Sequence, residues 1–213
     1  NFMRESLGSN IEKPKRQKAP ELFLEIVDRV WQAGVPVHVL LAGPRRHWLR
    51  ARLAERSIPF SYAGKIVEGD DYSVNILSQA EMRKLYAATN LMLVTSRWEG
   101  GPRAVLEAAA TGTACLSTPV GLAPDVLEPD SLYRSLDEAV ARISDDAKSR
   151  ILARHVPAQY DRVLREFTPG ANVPRFKALY ESVPDIEAFD ASTLHRKARM
   201  PQAPVLVRRI RRV

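Results

Sequence analysis

One stretch governs what this chain can become. Residues 91–95 are apolar almost without interruption, a seven-residue loop follows, 103–111 reads as a helix, and 114–117 is a second short apolar run. Pro102 suits the helix start and Gly112 lies just past its end. Strands that are apolar throughout, rather than alternating with polar residues, belong to a sheet covered on both faces. A helix between two such strands is the crossover of a parallel pair. The stretch therefore demands an α/β domain.

The flanking sequence repeats the alternation. Pro20 opens a helix in which Leu22, Phe23, Ile26, Val27, Val30 and Trp31 recur at helical spacing, and Gly34 ends it. Residues 35–42 predict a buried strand closed by Gly43-Pro44, 46–56 a charged helix with Trp48, Leu49 and Leu53 on one side, and 60–63 a short strand ending at Gly64. The stretch 65–77 is irregular and acidic. Ser78 and Glu81 fit a capping box for a helix running to Ala88. Further on, 124–127 predicts a turn of helix, and helices are expected at 135–144, 146–154, 157–166 and 171–182. The expected fold class is α/β, a Rossmann-like doubly wound parallel sheet over residues 1–183 with closing helices, followed by an extended basic tail at 184–213.

Charge supports that division. The 213 residues hold 32 Lys and Arg against 25 Asp and Glu, a net charge of +7. No acid follows Asp190, yet Arg196, Lys197, Arg199, Arg208, Arg209, Arg211 and Arg212 do; without these seven the body is neutral. A nucleic-acid protein with basic residues spread over a folded face is thereby disfavoured. The tail has readings as a solvated end, as an anchor to an anionic membrane surface, as a dock for a partner protein or, less favoured, as a nucleic-acid contact. The one cysteine, Cys115, forms no intrachain disulfide and no cysteine zinc cluster, and fits a buried strand in a reducing compartment. The four histidines show no ligand spacing. No apolar run reaches the roughly 18–20 residues of a membrane span and no signal peptide is seen, so a cytoplasmic protein, peripheral at a membrane at most, is expected. Because the first residue is Asn1, the chain is expected to be part of a longer product.

The loop after residue 95 carries the chemistry. Its sequence is Ser96-Arg97-Trp98-Glu99-Gly100-Gly101-Pro102. Ligands in doubly wound sheets sit at the carboxyl ends of strands, where Glu99 lies. Gly100 and Gly101 admit close approach to the backbone. The helix from Arg103 offers free N–H groups and a positive dipole end to an anion. Glu107 sits one turn into that helix. Backbone N–H groups for a phosphate and carboxylates for hydroxyls suggest a phosphorylated, hydroxyl-rich ligand. Trp98 suits either stacking on a ring or packing, and Arg97 and Arg103 suit either phosphate contact or a surface role.

These residues resemble a known family. Glu99 and Glu107 match the E-x7-E motif of retaining GT-B glycosyltransferases of group 1. The phrase from Leu85-Tyr86-Ala87-Ala88 through Ser96–Gly100 and Leu106-Glu107-Ala108 to Thr118-Pro119-Val120-Gly121 is similar in order and spacing. Lys18 followed by Leu22 resembles the family's lysine at its first helix, and the likeness covers roughly residues 8–182. The resemblance implies that Glu107 binds the ribose hydroxyls of a nucleoside diphosphate sugar and that Glu99 holds the donor sugar. It implies that Gly100, Gly101 and Arg103 meet the sugar or diphosphate, and that Lys18 neutralises the leaving diphosphate with Arg16 beside it, without a metal or other cofactor.

Three positions depart from the family pattern. Its arginine ahead of the lysine is Glu12 or Lys13 here, for which Arg16 or Lys13 would substitute. Its paired glycines become Gly121-Leu122, and its Pro-Glu becomes Pro124-Asp125. The family has a second, N-terminal domain that binds the acceptor, and this chain matches only the donor-binding half. Two functions follow: a retaining glycosyltransferase acting on an unidentified acceptor, or a non-catalytic interaction module derived from one, docking through its basic tail.

Overall fold

Side-chain alternation along four short strands sorts the core into two layers. The structure is a computed structural model that describes residues 16–182. Lys13 and the tail at 184–213 lie outside the described residues. Helix α1 (Pro20–Gln32) leads to β1 (Val39–Ala42), α2 (His47–Glu55) and β2 (Phe60–Ala63). Then come α3 (Gln79–Ala87), β3 (Leu91–Val94), α4 (Arg103–Ala110) and β4 (Ala114–Ser117). The chain continues as α5 (Ala123–Val126), a 3-10 turn at Pro129–Ser131, α6 (Leu136–Ser149), α7 (Ile151–Arg154), α8 (Val156–Glu166) and α9 (Pro169–Ser182).

Val39 and Leu41, Leu93, and Ala114 and Leu116 point into one core with Phe23, Ile26, Val27 and Val30 of α1, Leu49 and Leu53 of α2, Ala139 of α6 and Leu152 of α7. Their strand neighbours Ala42, Met92, Val94 and Cys115 point the other way, into a core with Tyr86 of α3, Ala104, Val105 and Ala108 of α4, Val126 of α5 and Val163 of α8. Helices thus cover both faces, which is why the strands carry no polar alternation. The fold is the expected α/β, Rossmann-like arrangement.

The sheet itself differs in one respect. Among the described residues the strands form two parallel pairs, β1 with β2 (Val39 opposite Phe60) and β3 with β4 (Leu91 opposite Ala114), and no ladder joins the pairs. The shared core beneath α1 holds both pairs in one body. Strand β1 is also half the expected length. Gly34 has φ +79° and Val35 N–H donates back to Val30 O, so the chain is still leaving α1 there. Pro36 has no N–H for a ladder. The two helices expected at 135–144 and 146–154 part later than predicted. Ser135 accepts from Glu138 N–H (3.1 Å) to start α6, which runs through Ser144-Asp145-Asp146 to Ser149, and the break falls at Arg150 in the left-handed region (φ +55°). The Ser78–Glu81 capping box is present in both directions.

The chain divides into two units, Asn1–Asn172 and Val173–Val213. In the second unit the described part is the remainder of α9, which contains Pro174 and exposes Val173, Phe176, Leu179 and Tyr180. Among the described residues no helix is long and apolar enough to cross a membrane.

Candidate functional site

The site forms where the entry to α1 is strapped to the exit of β3. Ala19, the N-cap of α1, is fully buried in the left-handed region (φ +45°). For alanine that conformation costs about 1–2 kcal/mol. Three donors offset it. Thr95 Oγ1 shares its single proton between the carbonyls of Lys18 (2.9 Å) and Ala19 (3.2 Å), Arg97 N–H donates to Gln17 O (2.8 Å), and Gln17 Nε2 donates to Trp98 O (3.0 Å). The turn carries Lys18 over the loop after β3, where its ammonium pairs with Glu99 Oε1. Ser96 Oγ donates to the same oxygen (2.8 Å). Both side chains of the pair are mostly buried, at 13% and 11% exposure, which strengthens their attraction relative to a surface pair.

The loop is braced from β4. Thr118 N–H donates to Val94 O (3.1 Å) and Thr118 Oγ1 to Ser96 O (2.7 Å). Gly121, at φ +51°, lies against the loop so closely that a Cβ there would stand 2.6 Å from Glu99 O and 2.5 Å from Gly100 O. A Cβ on Gly100 would enter open space, so the backbone at Gly100 is accessible from outside. At Gly101 a Cβ would touch only Leu122 (3.2 Å). The loop ends at Pro102, the N-cap of α4, which supplies no side-chain cap. Val105 N–H already donates to Pro102 O (2.9 Å), so it is the N–H groups of Arg103 and Ala104 that α4 offers to an anion. Arg103 and Arg16 are exposed and make no ion pair among the described residues. Trp98 is 54% exposed, so packing does not consume its ring.

Glu107 occupies the second half of the site. Its Oε2 accepts from Tyr86 Oη (3.1 Å), and it lines a cavity of about 500 Å³ with Gln79, Met82, Arg83, Tyr86 and Thr111. The structure thus brings Lys18, Ser96 and Glu99 together and sets Glu107 with Tyr86. Lys18 and Glu99 do not line that cavity. Sequence reasoning from spacing missed Tyr86, Thr95, Gly121 and the Lys18–Glu99 contact. An aromatic residue closing a helix just before a strand, and a glycine a few residues past the next strand, were the available signals for two of them.

The acidic stretch 65–77 is irregular, as expected, but held by a buried carboxylate. Asp71 is 1% exposed. Oδ1 accepts from Arg45 N–H (2.6 Å), and Oδ2 accepts from Asn75 Nδ2 (2.7 Å) and lies 3.0 Å from Tyr62 Oη, whose single proton is shared with Gly43 O. Burial pushes the Asp71 carboxyl up, but these donated hydrogen bonds outweigh it and hold it below the usual carboxylate value. Burial and the hydrogen bond to Asp71 push the Tyr62 phenol up to about 12. Cys115 is fully buried in β4, and burial pushes its thiol up to about 12, so it stays a neutral core residue. Among the described residues no three His, Cys, Asp or Glu side chains converge as metal ligands would.

The comparisons agree with this architecture. The family profile described as "Glycosyl transferases group 1" matches residues 8–148. No curated protein sequence is significantly similar to the chain. Among solved structures, an S. aureus TarM mutant in complex with fondaparinux, alpha-GlcNAc-glycerol and UDP superposes with a TM-score of 0.61 at 12% identity, over 85% of this chain and 38% of that one. Anabaena HepE in complex with UDP and glucose gives 0.59 at 15% identity, over 79% and 46%. The C-terminal domain of the Francisella tularensis group 1 protein LpcC gives 0.57 at 18% identity, over 73% and 83%. The chain spans less than half of the TarM and HepE chains but most of the isolated C-terminal domain.

Proposed function

The chain belongs to the group 1 glycosyl transferase family, and from that premise we propose that it is the donor-binding half of a retaining glycosyltransferase that uses a nucleoside diphosphate sugar. The observation that carries this reading is the Lys18–Glu99 pair at the end of β3, directly ahead of the uncapped N-terminus of α4. A cation, a carboxylate and free backbone N–H groups meet in one place, beside the accessible backbone of Gly100. The N–H groups of α4 and the Lys18 ammonium receive the diphosphate, Arg103 and Arg16 add positive charge at its rim, and Glu99 accepts hydrogen bonds from the sugar hydroxyls. Glu107 accepts them from the ribose.

In the transfer, the bond between the anomeric carbon and the diphosphate oxygen breaks and a bond to the acceptor oxygen forms on the same face. The acceptor's proton passes to the departing phosphate. Negative charge grows on that phosphate as the bond breaks, and Lys18 with the α4 dipole stabilises it there. The acceptor reaches the donor from a second domain of the kind that the TarM and HepE chains have length for.

Calorimetric titration of the chain with UDP and with GDP tests the reading. One of the two binds, and Lys18→Ala and Glu107→Ala each weaken it. Failure of both nucleotides to bind overturns the proposal and favours the interaction module instead.

A further inference from the structure

Tyr86 is the largest polar side chain buried against α4, and it serves no obvious packing purpose that phenylalanine would not. It lies near the end of α3, 1% exposed, in the core with Ala104, Val105 and Ala108. A buried phenol hydroxyl needs a hydrogen-bond partner. Here it donates to Glu107 Oε2, 21 positions away in sequence. The backbone around this contact is fixed on both sides. Thr113 Oγ1, buried ahead of β4, donates to Tyr86 O (2.7 Å), which ties the end of α3 to that strand. Thr111 Oγ1 shares its proton between Glu107 O (2.8 Å) and Ala108 O (3.0 Å), which closes the last turn of α4 behind the carboxylate. A glutamate side chain has three torsions, and a bond to either carboxylate oxygen narrows them. Anchoring one carboxylate oxygen from a rigid ring sets the plane of the group, and with it the direction of the second oxygen, at the wall of the cavity that both residues line.

We infer that Tyr86 is a positioning residue for nucleotide recognition: its buried hydroxyl orients the Glu107 carboxylate toward the ribose hydroxyls, so that discrimination for an intact ribose depends on a residue that does not touch the ligand. This rests on the reading of Glu107 given above. The ring of Tyr86 belongs to the core and only its oxygen acts on the site. Tyr86→Phe therefore separates the two roles.

The test compares the nucleotide that the chain binds, UDP or GDP, with its 2′,3′-dideoxy analogue by calorimetric titration of the full chain. The unsubstituted chain prefers the intact nucleotide. Tyr86→Phe weakens that nucleotide about tenfold, the loss of one hydrogen bond to a charged group, and leaves the dideoxy compound unchanged, so the preference collapses. In a Glu107→Gln chain, adding Tyr86→Phe changes nothing further. Thr113→Val, which loosens the same end of α3 but keeps the phenol, retains the preference; if it collapses there too, the effect is structural and the inference falls. A Tyr86→Phe chain that keeps the preference, while Glu107→Gln loses it, overturns the inference alone. A Glu107→Gln chain that binds both compounds like the unsubstituted one overturns the reading of Glu107 itself.

Discussion

Two loops leave strands at their carboxyl ends, one in each pair, and each is organised around a carboxylate. After β2, Asp71 receives donors on both oxygens: the Arg45 N–H on Oδ1, Asn75 and Tyr62 on Oδ2. After β3, the hydrogen bonds described for Glu99, from Lys18 and Ser96, both fall on Oε1. The first carboxylate is an internal acceptor whose work is to close its own loop. Arg45 stacks on Tyr72 and Arg50 on Tyr62 around it, which adds two cation–ring contacts to the polar network. The second sits in a loop held by backbone bonds and by Gly121, so the loop keeps its shape without the carboxylate closing it. A loop that is braced by others can carry a functional acid, whereas a loop braced by its own acid cannot give it up.

Isosteric amides should expose this difference. Asp71→Asn sets an NH2 group against at least one donor whichever way the amide turns, and the expected loss is about 3 kcal/mol by urea denaturation. A loss below about 1 kcal/mol would collapse the distinction between the loops. Gly121→Ala strikes the other loop's brace, forcing a Cβ onto the carbonyls of Glu99 and Gly100 at a positive φ. About 2 kcal/mol of stability should go, and nucleotide affinity with it.

Acid unfolding offers a third comparison. Asp71 is held below its unfolded value of about 3.9, so its contribution is complete above about pH 4 and disappears as pH falls through the lower, folded-state value. Asp71→Asn should remove that contribution from a melting series between pH 5 and 2, leaving the part due to Asp70, Glu81 and Glu138, whose carboxyls are also held low by hydrogen bonds. At neutral pH Glu99→Gln should cost about 1–2 kcal/mol: its amide oxygen can serve both Lys18 and Ser96, but the mostly buried Lys18 ammonium loses its counter-charge. It should weaken sugar-nucleotide binding more than binding of the bare nucleotide. The smallest effect belongs to Arg97→Ala. Its ion pair with Glu21 is nearly half exposed on both sides, and removal should change stability by no more than about 0.5 kcal/mol.

Much of the fold was legible because burial on two faces writes itself into composition. The apolar runs at 91–94 and 114–117, the helix faces of α1 and α2, and the Ser78 cap all stand where local chemistry places them. Pairing is another matter. That β1 joins β2 and β3 joins β4, with no ladder between the pairs, depends on partners far along the chain, and no local residue announces it. The end of α6 at Arg150 was hidden because a left-handed arginine has no sequence signature. In the site, Glu99 and Glu107 were visible as a spacing. Lys18 came into view only through resemblance, and its contact with Glu99, like that of Tyr86 with Glu107, only through the structure, since each joins residues on different elements.

The Lys18–Glu99 contact closes a loop of 81 residues. Ordering a flexible chain over that span costs about 4 kcal/mol of closure entropy, so the contact is unavailable until α1 has docked beneath the strands. Elements with local contacts assemble first, and contacts of high sequence separation last. Recovery of nucleotide binding should therefore trail recovery of helical circular dichroism in a refolding experiment. A chain still emerging in synthesis holds its lysine long before it holds the carboxylate that completes the site.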